Sequence, residues 1–490
     1  MKISHARIPE EVLHVTQTLE QAGFEAYLVG GCVRDMVREV EPKDWDVTTN
    51  AHPEDIQRLF PEHYANNDFG TIGIKTESET PTLQVIEVTP YRSESGYSDR
   101  RRPDQVIFGV SLEDDLSRRD FTINALAYRP KDQELVDLHG GITDLKEKRL
   151  RTVGDPKRRF TEDALRMMRA VRFSAQLGYT IDPKTMAAIA ENHELLNDIA
   201  IERVAHEFTL LIETDEPMHG IIFMQKLGLL QHVVPELEEG IGCEQGGAHA
   251  FDVFEHNLRT LQAAADKNHP TPLRIAALLH DIAKPATRRT GGKNKKYTFF
   301  GHEVVGAKMA KRIMQRLKYP RETTDLVMNF VRWHMFFADP DEVTLSAVRR
   351  TIARIGEDHI QQLLDLRVCD RIGTGRPKEQ PFRLRKYKAM VDEALREPIS
   401  VKMLKINGDQ IMKLSGEKPG RRLGFVLHAL LEEALDDASK NTEEYMERRA
   451  LELLKMDEKT LQNLAEAGKK RQEEEESAAL KEIAREHRVG

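Results

Sequence analysis

At 490 residues the chain is too long for one ordinary hydrophobic core, and a prior of about 100–200 residues per domain predicts three or four units. With 40% hydrophobic and 31% charged residues, and no apolar run near the roughly 20 residues of a span, the composition excludes a membrane-spanning protein and fits a soluble globular one. Cys32, Cys243 and Cys369 stand far apart, which argues against a disulfide framework or cysteine zinc site; with no signal-peptide core at the start, a reducing cytoplasm is expected. The net charge of −8 hides segregation, because twelve Lys or Arg residues fall between Lys284 and Arg321 against one acid, Glu303. A second basic stretch holds Lys146, Lys148, Arg149, Arg151, Lys157, Arg158 and Arg159. Solvated surface is the plain reading of such runs, and phosphate-backbone contact the functional one.

In chain order, a helix over 9–22 leads into a buried strand over 25–29. Gly30-Gly31 then lets the backbone approach a phosphate without a Cβ in the way before a helix begins, and Val33-Arg34-Asp35 puts a cation beside that turn. The next strand, over 45–48, opens with Asp44-Trp45-Asp46. Side chains two apart on an extended segment share a face, so both carboxylates can hold a divalent metal. Strand, glycine turn, helix and paired carboxylates form a plan for nucleotidyl transfer, with Mg²⁺ clamping a triphosphate. A helix over 53–60 and strands over 71–75, 83–89, 105–108 and 134–137 make residues 1–152 an α/β (α+β) unit.

Arg118-Arg119-Asp120-Phe121-Thr122-Ile123-Asn124-Ala125 follows. Arginine forks suit phosphate oxygens, and Asp and Asn suit ribose hydroxyls. From Thr161 onward the apolar spacing is helical almost to the end, and the last segment, over 469–476, is charged and expected to be exposed or partly disordered. Glu162-Asp163-Ala164-Leu165-Arg166 opens a helix on which Asp163 and Arg166 are neighbours; an intrahelical salt bridge is the plain alternative to a role. An Asp acceptor beside an Arg donor matches the Watson–Crick edges of cytosine and adenine and leaves unpaired groups against uracil and guanine. Such a pair selects CTP and ATP without a nucleic-acid template. In the helical half, His256, His280-Asp281, His302, His334 and Asp370 form a second ordered set. The adjacent His280-Asp281 lies on an apolar stretch, where burial of both without a metal or partner is costly.

The first set of motifs, from Leu28 to Asp35, Asp44 to Asp46, Arg118 to Ala125, Glu162 to Arg172, and Glu202-Arg203-Val204 with Glu207-Phe208, resembles the class II tRNA nucleotidyltransferases, the bacterial CCA-adding enzymes and their poly(A) polymerase relatives. The histidine set resembles the HD superfamily of metal-dependent phosphohydrolases. These resemblances imply a polymerase-β-like head at 1–152, a helical neck at 153–215, an HD domain at 216–382 and a helical tRNA-binding tail at 383–490. They imply that Asp44 and Asp46 bind catalytic Mg²⁺ and that Glu87 stands where a third acid is often placed. Gly30, Gly31, Arg34, Arg119, Asp120 and Asn124 would handle sugar and phosphates; Glu162, Asp163 and Arg166, with Arg169 and Arg172, would bind the nucleotide and read its base.

The resemblance also implies a flexible loop over 91–103, with Arg92 and Glu94, tied to the switch from C to A addition. In the HD set, His256, His280, Asp281 and Asp370 would be primary ligands for Mg²⁺ or a transition metal, with His302 and His334 completing a two-metal or phosphate site. In the tail, Arg383, Arg385, Lys386 and Lys388 are candidates for contact with the tRNA elbow. The partners expected are the tRNA 3′ end, CTP and ATP, and no membrane. The expected function is CCA addition, with a metal-dependent phosphohydrolase activity in the HD domain. A-only addition, a poly(A) polymerase, and an HD phosphohydrolase with a non-catalytic RNA-binding head are the alternatives.

Overall fold

Ala26, Tyr27, Leu28 and Val29 are all buried, as a strand in the middle of a covered sheet must be, and the head is built outward from them. A computed structural model of the chain describes residues 3, 5–65, 70–95, 105–246, 250–290, 297–335, 343–375 and 379–466. It divides into two compact units, Met1–Val233 and Val234–Gly490.

The first unit holds β1 (Ala26–Val29), β2 (Asp46–Thr49), β3 (His63–Ala65), β4 (Ile72–Lys75), β5 (Val85–Pro90), β6 (Arg92–Ser95), β7 (Gln105–Phe108), β8 (Leu126–Arg129) and β9 (Glu134–Asp137). Seven of these form one sheet in the order β3-β4-β5-β2-β1-β8-β9. Only β2 and β5 run parallel there; the other neighbours are antiparallel. The mixed sheet fits the α+β expectation. The six strands read from the sequence are present, while β3, β6 and β8 were not foreseen. In β8 Leu126, Ala127 and Tyr128 are buried in succession, so the period-two alternation that betrays a half-exposed strand is missing.

β6 corrects the expected loop that carries Arg92 and Glu94. It pairs antiparallel with β7, from Arg92 opposite Phe108 to Ser95 opposite Gln105. The polar composition of Arg92-Ser93-Glu94-Ser95 concealed a strand whose pairing comes from backbone hydrogen bonds. The rest of that loop, 96–103, lies outside the described residues, as does the charged segment 469–476.

The Glu10–Gln21 helix buries Val12, Val15, Thr16 and Leu19, the i, i+3, i+4, i+7 face of an amphipathic helix. After the sheet the first unit is mainly helical, with Pro156–Glu162, Leu165–Leu177, Pro183–Asn192, Ile201–Ile212 and Pro217–Lys226. The second unit packs Val253–Asp266, Thr271–Leu279, His302–Arg316, Arg321–Trp333 and Glu357–Gly373 together. Farther on, Gly408–Ser415, Arg421–Asp436, Glu443–Leu453 and Glu458–Ala465 close over a core of their own that includes Ile411, Val426, Leu430, Met446 and Leu461. No helix among the described residues is long and apolar enough to cross a membrane.

Candidate active site and metal centre

The turn after β1 sets the floor of a cleft of about 650 Å³ in the first unit. Gly30 has φ +77°, a conformation that L side chains rarely adopt, and it caps the helix Gly31–Val37. A Cβ there would lie 3.3 Å from Arg119 Nη1 and 3.7 Å from Asp46 Oδ2; one on Gly31 would lie 3.7 Å from Asp44 Oδ1. The two glycines therefore meet both aspartates of Asp44-Trp45-Asp46, while Trp45 between them is buried. Glu87 on β5 stands in register with Asp46 on β2. Burial, then the charges of Asp44 and Glu87, push the Asp46 carboxyl up to about 7, with Arg119 opposing them. Three hard oxygen donors that repel one another are a donor set suited to a divalent cation.

The Arg118–Asn124 cluster is a connected network. Arg34 Nη1 donates to Asn124 Oδ1 at 2.9 Å, and Asn124 Nδ2 donates to Asp120 Oδ1 at 3.2 Å. Arg169 grips Asp120 Oδ2 through Nη2 at 2.7 Å and Nε at 2.9 Å. Burial disfavours a charge on Asp120, but Arg169 and Arg166 outweigh it and hold the carboxyl below its usual range. Arg172 donates to Glu207 at 2.7 Å, and the guanidinium groups of Arg34, Arg169 and Arg172 all face the Phe173 ring, at 5.5, 5.3 and 4.1 Å from its centroid. Phe173 and Glu207 were given no role by sequence reasoning. Their signal was position: Phe173 directly follows Arg172, and Glu207 lies in a quoted motif.

The base-reading pair is arranged otherwise than one helix face would give. The helix Pro156–Glu162 ends at Asp163, whose φ of −145° is extended, and the next helix starts at Leu165. Asp163 Oδ1 accepts from the Leu165 amide at 3.1 Å, a local bond that competes with helix continuation. Asp163 Oδ2 takes Arg203 Nη2 at 2.7 Å, and Arg166 turns to Glu162 at 3.0 Å and to the Arg118 carbonyl at 3.1 Å. Asp163, Arg166 and Arg203 all line the cleft; Glu162 holds Arg166 from behind.

Asp115 is a further residue that the sequence reading passed over. Its fully buried carboxylate accepts from Arg118 Nε at 3.0 Å and Nη2 at 2.7 Å, and from Arg119 Nη2 at 3.2 Å. Burial works against its charge, yet Arg119 and Arg118 keep its carboxyl below the usual range. Charged hydrogen bonds of this kind contribute about 1.5–3 kcal/mol each. Asp115→Asn is expected to loosen both arginines and raise KM for nucleoside triphosphates roughly tenfold or more, with unchanged far-ultraviolet circular dichroism; steady-state kinetics with an unaltered KM would contradict that positioning role.

The second unit brings its six ordered residues together. His256, His280 and Asp370 form one buried group able to hold a metal ion, and Asp281, His302 and His334 another. Asp281 joins them: Oδ2 lies 3.2 Å from Nε2 of both His256 and His280, and Oδ1 lies 3.3 Å from His302 Nε2 and 3.5 Å from His334 Nε2. The two oxygens of Asp281 face different histidine pairs, so the expected primary ligands and the expected accessory pair share this one carboxylate. Nδ1 of His280, His302 and His334 donates to the carbonyls of Ala277, Phe299 and Val331 at 2.8, 2.7 and 2.7 Å, which turns each Nε2 into the cluster. Burial disfavours a charge on Asp281, but His280 and Lys284 overcome it and hold the carboxyl well below its usual range. Imidazoles mixed with carboxylates fit a divalent transition metal. Lys284, Arg367 and Arg371 line the adjoining cavity of about 570 Å³.

In the basic stretch at 146–159, five of the seven cations are engaged internally. Arg149 and Arg151 grip buried Asp144 at 2.8 Å, Lys157 pairs with Glu191, and Arg158 and Arg159 pair with Glu162.

Residues 26–151 match the family described as the poly A polymerase head domain, residues 178–241 the probable RNA and SrmB- binding site of polymerase A, and residues 253–373 the HD domain. Each of these matches covers less than half of the chain, and together they make it similar to those domain families over the matched residues. The resemblance read from the motifs points to the same domain families. The CCA-adding enzyme of Levilactobacillus brevis is 47% identical over 241 residues, 47% of this chain and 57% of that protein. That of Lactobacillus helveticus is 50% identical over 199 residues, 40% of this chain and 48% of that protein. The chain spans about half the length of these curated relatives. The CCA-adding enzyme of Bacillus stearothermophilus, solved in complex with CTP, superposes with a TM-score of 0.64 at 24% identity, covering 91% of this chain and 97% of its own, which establishes the shared fold.

Proposed function

We propose that the chain adds CCA to the 3′ end of tRNA, drawing on CTP and ATP without a nucleic-acid template. The observation that carries this reading is the convergence, in one cleft, of Asp44 and Asp46 with Arg119, Asp120 and Asn124 and with Asp163, Arg166 and Arg203. The relatives named CCA-adding enzymes support it. Divalent cations held by Asp44 and Asp46, in our reading Mg²⁺, would neutralise the triphosphate and favour attack by a hydroxyl.

The chain's own residues do the rest. The Gly30-Gly31 turn lets backbone approach the phosphates, and Arg119, anchored by Asp115, adds positive charge beside them. Asp120 and Asn124, locked by Arg169 and Arg34, present hydrogen-bonding groups to a ribose. Asp163 would accept from the exocyclic amine of cytosine or adenine while Arg166 donates to the neighbouring ring nitrogen, and each base is fixed by its own edge. Catalysis is then mainly positioning and electrostatics. We divide the chain functionally into a head at 1–152, a neck at 153–215, an HD domain at 216–382 and a tail at 383–490.

Asp163→Ala is expected to cut discrimination between CTP and UTP by about tenfold to a hundredfold, the size of a lost charged hydrogen bond. Arg203→Ala should move it in the same direction, since Arg203 fixes the Asp163 carboxylate. Single-nucleotide incorporation with each triphosphate checks both; undiminished discrimination would refute the reading of the base by protein.

A second activity, metal-dependent phosphohydrolysis in the HD domain, is favoured by Asp281 joining the group of His256, His280 and Asp370 to His302 and His334, beside Lys284 and Arg367. Cations next to a metal cluster suit a phosphate ester. We propose 2′,3′-cyclic phosphate RNA ends, which block nucleotide addition, as its substrate.

A further inference from the structure

The helix His302–Arg316 turns His302, Val304, Ala310 and Ile313 inward and an unlike face outward. Lys308, Lys311, Arg312 and Gln315 follow one another at i, i+3, i+4 and i+7, so they form one stripe. With half-buried Val305 they line a shallow depression of about 420 Å³. Lys308, Arg312 and Gln315 are exposed and Lys311 is half-buried.

Several other cations in this unit are matched: Arg350 pairs with Glu432 and Asp436, Arg449 with Glu433 and Glu452, Arg316 with Glu236. Among the described residues, no carboxylate stands within ion-pair distance of Lys308, Lys311 or Arg312. Glu236 feels the charge of Arg312, but Arg316 holds it at 2.6 and 2.8 Å. Like charges three and four residues apart on a helix repel, an arrangement that stability alone does not favour. No aromatic side chain lines the depression, and its only aliphatic residue is half-buried Val305, whereas three of its five residues are cations, the spacing that a polyanion requires.

We infer that this stripe is a docking surface for the phosphate backbone of RNA. It rests on the proposed function in taking that RNA to be the tRNA substrate. It also separates the two basic stretches of the sequence: five of the seven cations at 146–159 pair with the protein's own acids, and the 308–315 face is left for a partner.

The test uses the full chain. A Lys308→Glu, Lys311→Glu, Arg312→Glu variant and a charge-preserving Lys308→Arg, Lys311→Arg, Arg312→Lys variant are titrated with fluorescent tRNA between 50 and 200 mM salt. The glutamate variant is expected to bind tRNA roughly tenfold to a hundredfold more weakly, with a plot of log affinity against log salt flatter by about 2–3. KM for CTP and kcat at saturating tRNA stay at the wild-type values, and the charge-preserving variant binds as wild type does. Unchanged affinity and slope in the glutamate variant would overturn the inference, as would a parallel rise in KM for CTP, which would mark a structural role. Wild-type protein that binds no tRNA at any salt would instead overturn the function proposed above, and this inference with it.

Discussion

Asp46→Asn is expected to abolish nucleotide transfer, by about 10³-fold or more, while the protein stays folded. Asp46 lies at the meeting point of the Gly30 turn, Asp44, Glu87 and Arg119. The substitution keeps its shape but removes the charge that, in the proposed mechanism, would hold a cation against a triphosphate, and metal assistance contributes several kcal/mol, each 1.36 kcal/mol being a factor of ten in rate. Folding should survive, because the apo protein gains nothing from a carboxylate that burial and two like charges oppose; the variant should melt no lower than wild type in the absence of metal. Incorporation of labelled CMP, read beside a melting curve, checks both halves. Retained incorporation would remove Asp46 from the reaction.

The second large effect belongs to Asp281. Each of its oxygens faces a different histidine pair, so Asp281→Asn strikes both ligand groups at once, whereas a change at His302 or His256 strikes one. The expected outcome is loss of metal from the second unit and a fall of about 10²-fold or more in hydrolysis of bis-p-nitrophenyl phosphate with Ni²⁺, Mn²⁺ or Mg²⁺, with CMP incorporation unchanged. Metal content by mass spectrometry is the readout independent of activity. Full metal content and hydrolysis in Asp281→Asn would show that the ligand groups act without this bridge.

What the sequence disclosed and what it withheld divide along the range of the interactions. Gly30-Gly31, Asp44 and Asp46 could be read because a strand, a turn and alternating side chains are local; the structure brings all four to one cleft. The six HD residues were read from order alone, and they meet in space. The bridge at Asp281 could not be read, since which oxygen faces which histidine is decided by the packing of five helices. Nor could the partner of Asp163: spacing pointed to Arg166 three residues away, and the partner is Arg203, forty residues on. A bond from Asp163 to the Leu165 amide interrupts the helix that the periodicity predicted. Asp115 was hidden among ordinary acids of a short helix because its burial depends on the tertiary fold.

Labelled tRNA ending at the discriminator, at C, or at CC, incubated with CTP, ATP or both and resolved by length, tests the proposed function most directly. The account predicts completion to CCA from all three ends when both triphosphates are present, addition of C alone to the first two with CTP, and no extension with UTP or GTP. Extension of only the CC-ending tRNA would mark an A-adding enzyme, and extension of none would leave the head without its assigned reaction; either result contradicts the account.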